Sequence, residues 1–192
     1  MTPREFLDIL HVAERLKDTP RHCTTTKRRT ESVAEHSWRV SLMALLLKGE
    51  FPDADMDTVV KMCLVHDLGE CFTGDIPTFV KTDADRDVED SLLSRWVRSL
   101  PPEVAGELVE LFREMDAQQT VEAKIYKSLD KLEALIQHNE SPLDTWSENE
   151  YGLNKVYAFD TVAFSGWLTG LRKEILEDTL AKIAGENPDS NP

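Results

Sequence analysis

The chain has 192 residues, with 36 acidic against 22 basic side chains and a formal net charge of −14. That length makes one domain the expectation, and that charge excludes a protein that coats nucleic acid, which needs a basic face. It does not exclude a small phosphorylated substrate, because a metal ion or a local basic cluster reverses the sign at one site.

The first predicted helix covers residues 4–17, where Phe6, Leu7, Leu10, Ala13 and Leu16 recur at helical spacing. No signal peptide is expected here, because acids interrupt the apolar positions. The polar stretch DTPRHCTTTKRRT follows as a long loop, and loops of that length in compact domains are often functional. Its Lys27, Arg28 and Arg29 are a candidate phosphate-binding cluster or simply a solvated turn. Ser32 and Glu35 form an S-x-x-E start for a second helix, whose inner stripe is Val33, His36, Val40, Met43 or Ala44, and Leu47.

A third helix runs from about Asp57 to Leu68, apolar on nearly all sides and therefore central. Gly69, Gly74 and Pro77 mark its end and a turn. Residues 83–100 read as an amphipathic helix, and Pro101-Pro102 separates it from a short helix through Met115. TVEAKIYKSLDKLEALIQHNE is a long helix with Val121, Ile125, Leu129, Leu132 and Ile136 on its buried stripe. Residues 141–160 read as irregular, a last helix spans about Thr161 to Ile183, and the tail 186–192 reads as disordered beyond a domain of residues 1–185. Strand-like alternation is absent. The expectation is one all-α domain, a helical bundle.

Cys23, Cys63 and Cys71 are odd in number and form no CxxC pair, which argues against a disulfide framework. No apolar run reaches membrane-spanning length. A soluble cytoplasmic protein is expected.

Four ionisable residues sit where apolar ones belong. His36 interrupts the second helix's stripe, His66 and Asp67 end the third helix, and Asp130 edges the long one. A lone inward histidine is more often a hydrogen-bonded core residue than a ligand, and Asp130 alone could pair with Lys127 or Lys131. Together they offer two imidazoles and two carboxylates, a set that suits Mn, Co, Ni, Fe or Zn. An ion there would compensate the buried carboxylates.

The stretches TESVAEHSWRV, VHDLGECFTGDIPTFVK and KSLDKLEALIQ resemble the HD-domain metal-dependent phosphohydrolases, and within them the 5'-deoxynucleotidase subgroup. The likeness spans residues 15–136. It implies a single HD-domain bundle, a homodimer, and a divalent metal held by His36, His66, Asp67 and Asp130. It implies that Glu70 is a catalytic carboxylate, with Asp67 and Asp75 sharing in catalysis. Asp75, Ile76, Pro77 and Thr78 match the segment that contacts the nucleotide sugar, and Arg21 matches an arginine that orients the phosphate. Asp67 and Asp130 would border the substrate as well as the ion. The subgroup carries tryptophan after that arginine where this chain has His22, so one wall of the substrate pocket differs.

The implied reaction is hydrolysis of (deoxy)nucleoside 5'-monophosphates. Two other readings stay open at this level: an HD hydrolase of a nucleoside triphosphate or cyclic dinucleotide, and a helical module that binds metal, nucleotide or a protein partner without catalysis.

Overall fold

In the computed structural model, which describes residues 1–77 and 80–185, helices dominate as the periodicity predicts. Helix α1 (Pro3–Ala13) is followed by a 3-10 turn, Glu14–Lys17. Two short strands, β1 (Pro20–Thr24) and β2 (Thr30–Ser32), pair antiparallel. Then come α2 (Val33–Leu46), α3 (Met56–Val65), the single turn α4 (Glu70–Thr73), α5 (Asp83–Arg98) and α6 (Pro102–Ala117). Helix α7 (Val121–Glu140), a 3-10 turn Leu143–Thr145, α8 (Glu150–Val156), α9 (Phe159–Val162) and α10 (Gly166–Ile183) complete the chain.

The core is built by α2, α3 and α7, which pack on one another, with α10 and α9 closing over α7. Val40 and Ala44 of α2 meet Val59, Met62 and Cys63 of α3 and Ile125, Leu129, Leu132 and Leu135 of α7, all buried. The Ser32–Glu35 capping box forms as its sequence foretells. The Glu35 amide donates to Ser32 Oγ at 3.3 Å and the Ser32 amide to Glu35 Oε2 at 2.9 Å. Such a cap contributes about 1 kcal/mol. It also fixes where α2 starts, and therefore sets His36 one turn inside the helix.

Several expectations are corrected. The loop at 18–30 contains the β1–β2 hairpin, because its backbone is satisfied from outside: Gln137 Nε2 donates to the Thr24 carbonyl at 2.7 Å, and Ser141 Oγ donates to it too. Residues 141–160 hold two helical turns and a short helix rather than irregular chain. The last helix starts at Gly166, where Ser165 caps it, and α6 is a full 16 residues long. Third-helix burial is one-sided, since Leu64 is 58% exposed. The predicted inner stripe of α1 faces out: Phe6, Leu7 and Leu10 are exposed, and Leu16 beyond the helix is the stripe's buried member. The helix joins the body at its C-terminal end, where Leu16, Val33 and Cys71 cluster.

Arg28 and Arg29 are exposed turn residues, Arg28 paired with Asp144 and Arg29 with Glu35, so the basic cluster is a solvated turn. All three cysteines are free and buried. None of the described helices is long and apolar enough to cross a membrane. Thr78 and the 186–192 tail lie outside the described residues.

Candidate metal centre and its pocket

Helix α3 stops at Val65, and this stop makes the chemistry possible. Successive helical residues point about 100° apart, yet His66 is the helix cap and Asp67 lies in the turn beyond it, so both side chains converge. His36 comes from the first third of α2 and Asp130 from the middle of α7. Four donor atoms meet. His36 Nε2 and His66 Nε2 are 3.3 Å apart. Asp130 Oδ1 is 3.3 Å from the first and 3.6 Å from the second. Asp67 Oδ2 is 3.2 Å from His66 Nε2 and 3.8 Å from His36 Nε2. Neighbouring donors around one transition metal, each about 2.1 Å from it, stand about 3 Å apart. The spacing fits.

The outer nitrogens are committed elsewhere. His66 Nδ1 donates to the Cys63 carbonyl at 2.8 Å, and His36 Nδ1 donates to Glu133, whose side chain is fully buried. Ligating imidazoles are oriented in this way, with the far N–H held by a carbonyl or carboxylate. Asp67 Oδ2 is buried with no hydrogen-bond partner. An orphaned carboxylate oxygen among imidazole lone pairs is costly unless a cation sits with it.

Electrostatics agree. Burial and Arg21 lower the His36 imidazole, but the hydrogen bonds to Asp130 and Glu133 outweigh them and push it up to about 10. Burial alone would raise Asp130, yet Lys127 and the two imidazoles hold its carboxyl well below the usual carboxylate range. Its Oδ2 takes Lys127 Nζ at 2.8 Å while its Oδ1 faces the histidines. The lysine pairing and the inward role, alternatives in the sequence, coexist on the two oxygens. The centre of the cage favours positive charge.

A cavity of about 410 Å³ opens on this cage, lined by Asp67 and Asp130 and by Arg21, His22, Glu70, Asp75, Ile76 and Pro77. His36 and His66 stand behind the two aspartates. The structure thus gathers the described residues that the family likeness singled out, while the Lys27–Arg29 cluster stays outside the cavity. Glu70 is buried, and its Oε2 has no hydrogen-bond partner. Burial first, then the charges of Asp67 and Asp75, raise its carboxyl to about 9. Burial also raises Asp75. Gly74, at φ 78°, gives the turn before Asp75 a left-handed backbone that other residues rarely adopt. The Arg21 side chain is 9% exposed and held charged, its Nε on Glu31 Oε2 at 3.1 Å and its Nη1 3.9 Å from Asp67 Oδ2.

Sequence reasoning missed part of the site. Lys81, Arg86, Lys127 and Lys131 also line the cavity, which gives an acidic protein a local cationic patch. They are scattered along the chain, so no run announces them. Glu133 and Glu31 were missed too. The signal for Glu133 was an acid flanked by buried Leu132 and Leu135. The apolar end of the cavity is Ala134, Leu135, Leu153 and Tyr157 with Asn154 and His138. Arg172, fully buried, braces that end: its Nε donates to the Tyr157 carbonyl at 2.8 Å and its Nη2 to the Asn154 carbonyl at 2.7 Å.

Comparison with known proteins was consistent with this geometry. The family model of the HD domain matches residues 13–166. The 5'-deoxynucleotidase HDDC2 of Bos taurus is 33% identical over 141 residues, 71% of this chain and 68% of that protein. The 5'-deoxynucleotidase hdd1 of Schizosaccharomyces pombe is 31% identical over 140 residues, 69% of this chain and 68% of that one. Among solved structures, a "Predicted metal-dependent phosphohydrolase" from Magnetospirillum magnetotacticum MS-1 is similar with a TM-score of 0.79 at 25% identity, covering 93% of this chain and 95% of that chain.

Proposed function

The chain belongs to the HD-domain family, and from that premise we propose that it hydrolyses 2'-deoxynucleoside 5'-monophosphates to nucleoside and phosphate. The observation that carries this is the four-donor cage opening directly onto a cavity with cationic residues beside it and an apolar slot beyond. His36, His66, Asp67 and Asp130 would hold a divalent transition metal, which is Co, Mn, Ni, Fe or Zn by its donor set. When bound, the ion supplies Lewis acidity to the phosphoryl group.

The chain's own residues do the rest. Arg21, with Lys127 and Lys131 nearby, neutralises the phosphate's charge, and the guanidinium does so as a fork of donors. Water attacks phosphorus, the bond to the 5'-oxygen breaks, and the leaving oxygen takes a proton. Glu70 holds a proton at an unpartnered, buried oxygen facing this cavity, which suits a general acid, and it accepts one from water on the next turn of the cycle. Asp75, Ile76 and Pro77 contact the sugar, and Asp67 and Asp130 border the phosphate. His22 replaces the bulkier aromatic wall, and the base lies between Leu135, Leu153 and Tyr157.

The protein is proposed to be a cytoplasmic homodimer that binds neither nucleic-acid polymer nor membrane. Three buried free thiols support a reducing compartment. Trp38, Leu42 and Leu45 form an exposed apolar stripe on α2, where Leu46 is exposed as well, and such a stripe supports an interface between copies.

The test is phosphate release from a panel of deoxy- and ribonucleoside monophosphates, triphosphates and cyclic dinucleotides, with Mn or Co added. Release from deoxynucleoside monophosphates above all others is expected. Turnover of triphosphates or cyclic dinucleotides alone, or of nothing, would overturn the proposal.

A further inference from the structure

A second group of side chains able to ligate a metal lies beside the cavity, which His22 and His138 help to line. His22 and Cys23 lie on β1, His138 in the last turn of α7, and Glu150 opens α8. Cys23 Sγ is 3.7 Å from His22 Nε2, which is 3.6 Å from Glu150 Oε1. His138 Nε2 is 3.2 Å from the same oxygen. The ligand atoms of His22, Cys23 and His138 all lie within 4.8 Å of one another, and the two rings meet edge to face at 5.2 Å. Around a tetrahedral ion with bonds of about 2.0–2.3 Å, neighbouring nitrogen, oxygen and sulfur donors stand about 3.3–3.6 Å apart.

The state of His138 is the independent sign. Its Nδ1 donates to Asn154 Oδ1 at 3.1 Å, the outer hydrogen bond that orients a ligating imidazole. That turns Nε2 toward Glu150 and the other donors. The side chain is 7% exposed, and Nε2 lacks a well-aligned hydrogen bond although Glu150 Oε1 lies 3.2 Å away. An imidazole nitrogen and a carboxylate oxygen at that distance are held together by a cation, either a proton or a metal ion. The ring is also held in place: Trp146 Nε1 donates to the His138 carbonyl at 2.9 Å, and its indole packs on the imidazole.

We propose that His22, Cys23, His138 and Glu150 form a second, structural metal site, separate from the cage, that takes a borderline-soft divalent ion, zinc above all. One sulfur, two imidazoles and a carboxylate make a closed tetrahedral set. Binding releases the Cys23 thiol proton to solvent and leaves a thiolate on the ion. The ion ties the hairpin to α7 and α8, which lie far along the chain from it, and so fixes Arg21, the neighbour of His22, at the cavity. The substitution of His22 for tryptophan then changes more than pocket size, since it supplies a ligand.

The two sites differ in sulfur, and cobalt reports that difference. The full chain, stripped by chelator, is titrated with Co(II) and followed by absorption and by metal analysis. About two equivalents per chain are expected, with a thiolate-to-cobalt charge-transfer band in the near ultraviolet that Zn(II) bleaches. Cys23→Ser should lose that band and one equivalent. His66→Ala should lose the other equivalent and keep the band. Should Cys23→Ser fail to fold, Glu150→Gln serves, with a loss of about tenfold or more in the affinity that the band reports. The wild-type titration also decides by itself. A folded wild-type chain that takes one equivalent with no thiolate band, or a band that survives Cys23→Ser, overturns the proposal.

Discussion

The cavity has two walls of different construction. One is carried by α2, the end of α3 and α7, long helices whose opposite faces are the protein's core. The other is assembled from the β1–β2 hairpin, the turn after α4, and α8, all short and held by hydrogen bonds to their neighbours. The first wall presents the convergent cage and, from Ala134 and Leu135, one side of the apolar slot; the second presents Arg21, His22, Asp75 and the slot's other side at Leu153 and Asn154. Groups that must meet within a few tenths of an ångström sit on rigid helices, while groups that shape the substrate sit on elements that change without disturbing the core.

Substitutions separate the walls. On the first, His66→Ala or Asp67→Ala should abolish turnover and remove the cage metal together, which steady-state rates and metal analysis check. Glu70→Gln, on α4 beside the first wall, should lower kcat by about 10²–10⁴-fold, the range for losing a general acid–base group, with the metal retained. Glu133→Gln touches no substrate. It should weaken cage-metal affinity by about 10–100-fold and leave kcat at saturating metal close to wild type. On the second wall, His22→Trp should change the deoxyribo-to-ribonucleotide ratio of kcat/KM by about tenfold, with the cage metal unaffected. A comparable loss of cage metal in His22→Trp would erase the distinction between the walls.

The same division explains what could be read from sequence. The core helices announce themselves because Val40, Ala44, Leu129 and Leu132 repeat with helical period, and His36 is conspicuous because it breaks such a pattern. The hairpin has no comparable signal. PRHCT and TES become strands because Thr24 is held by Gln137, Ser141 and Thr145, more than a hundred residues away. Helix α8, at seven residues, is too short to show a period, and it is held partly by Arg172 from α10. Glu133 could pass for a solvated helix acid, and only packing shows it fully buried against His36. The α1 stripe teaches the converse: amphipathic spacing declares an apolar face but not that this chain covers it.

The cage itself is the central claim, and one experiment meets it directly: manganese- or cobalt-supported phosphate release from a deoxynucleoside 5'-monophosphate by the wild-type chain and by Asp67→Asn, each checked for folding. The cage account predicts turnover by wild type and none by a folded Asp67→Asn that has lost the cage metal. Equal turnover by the two proteins would contradict it.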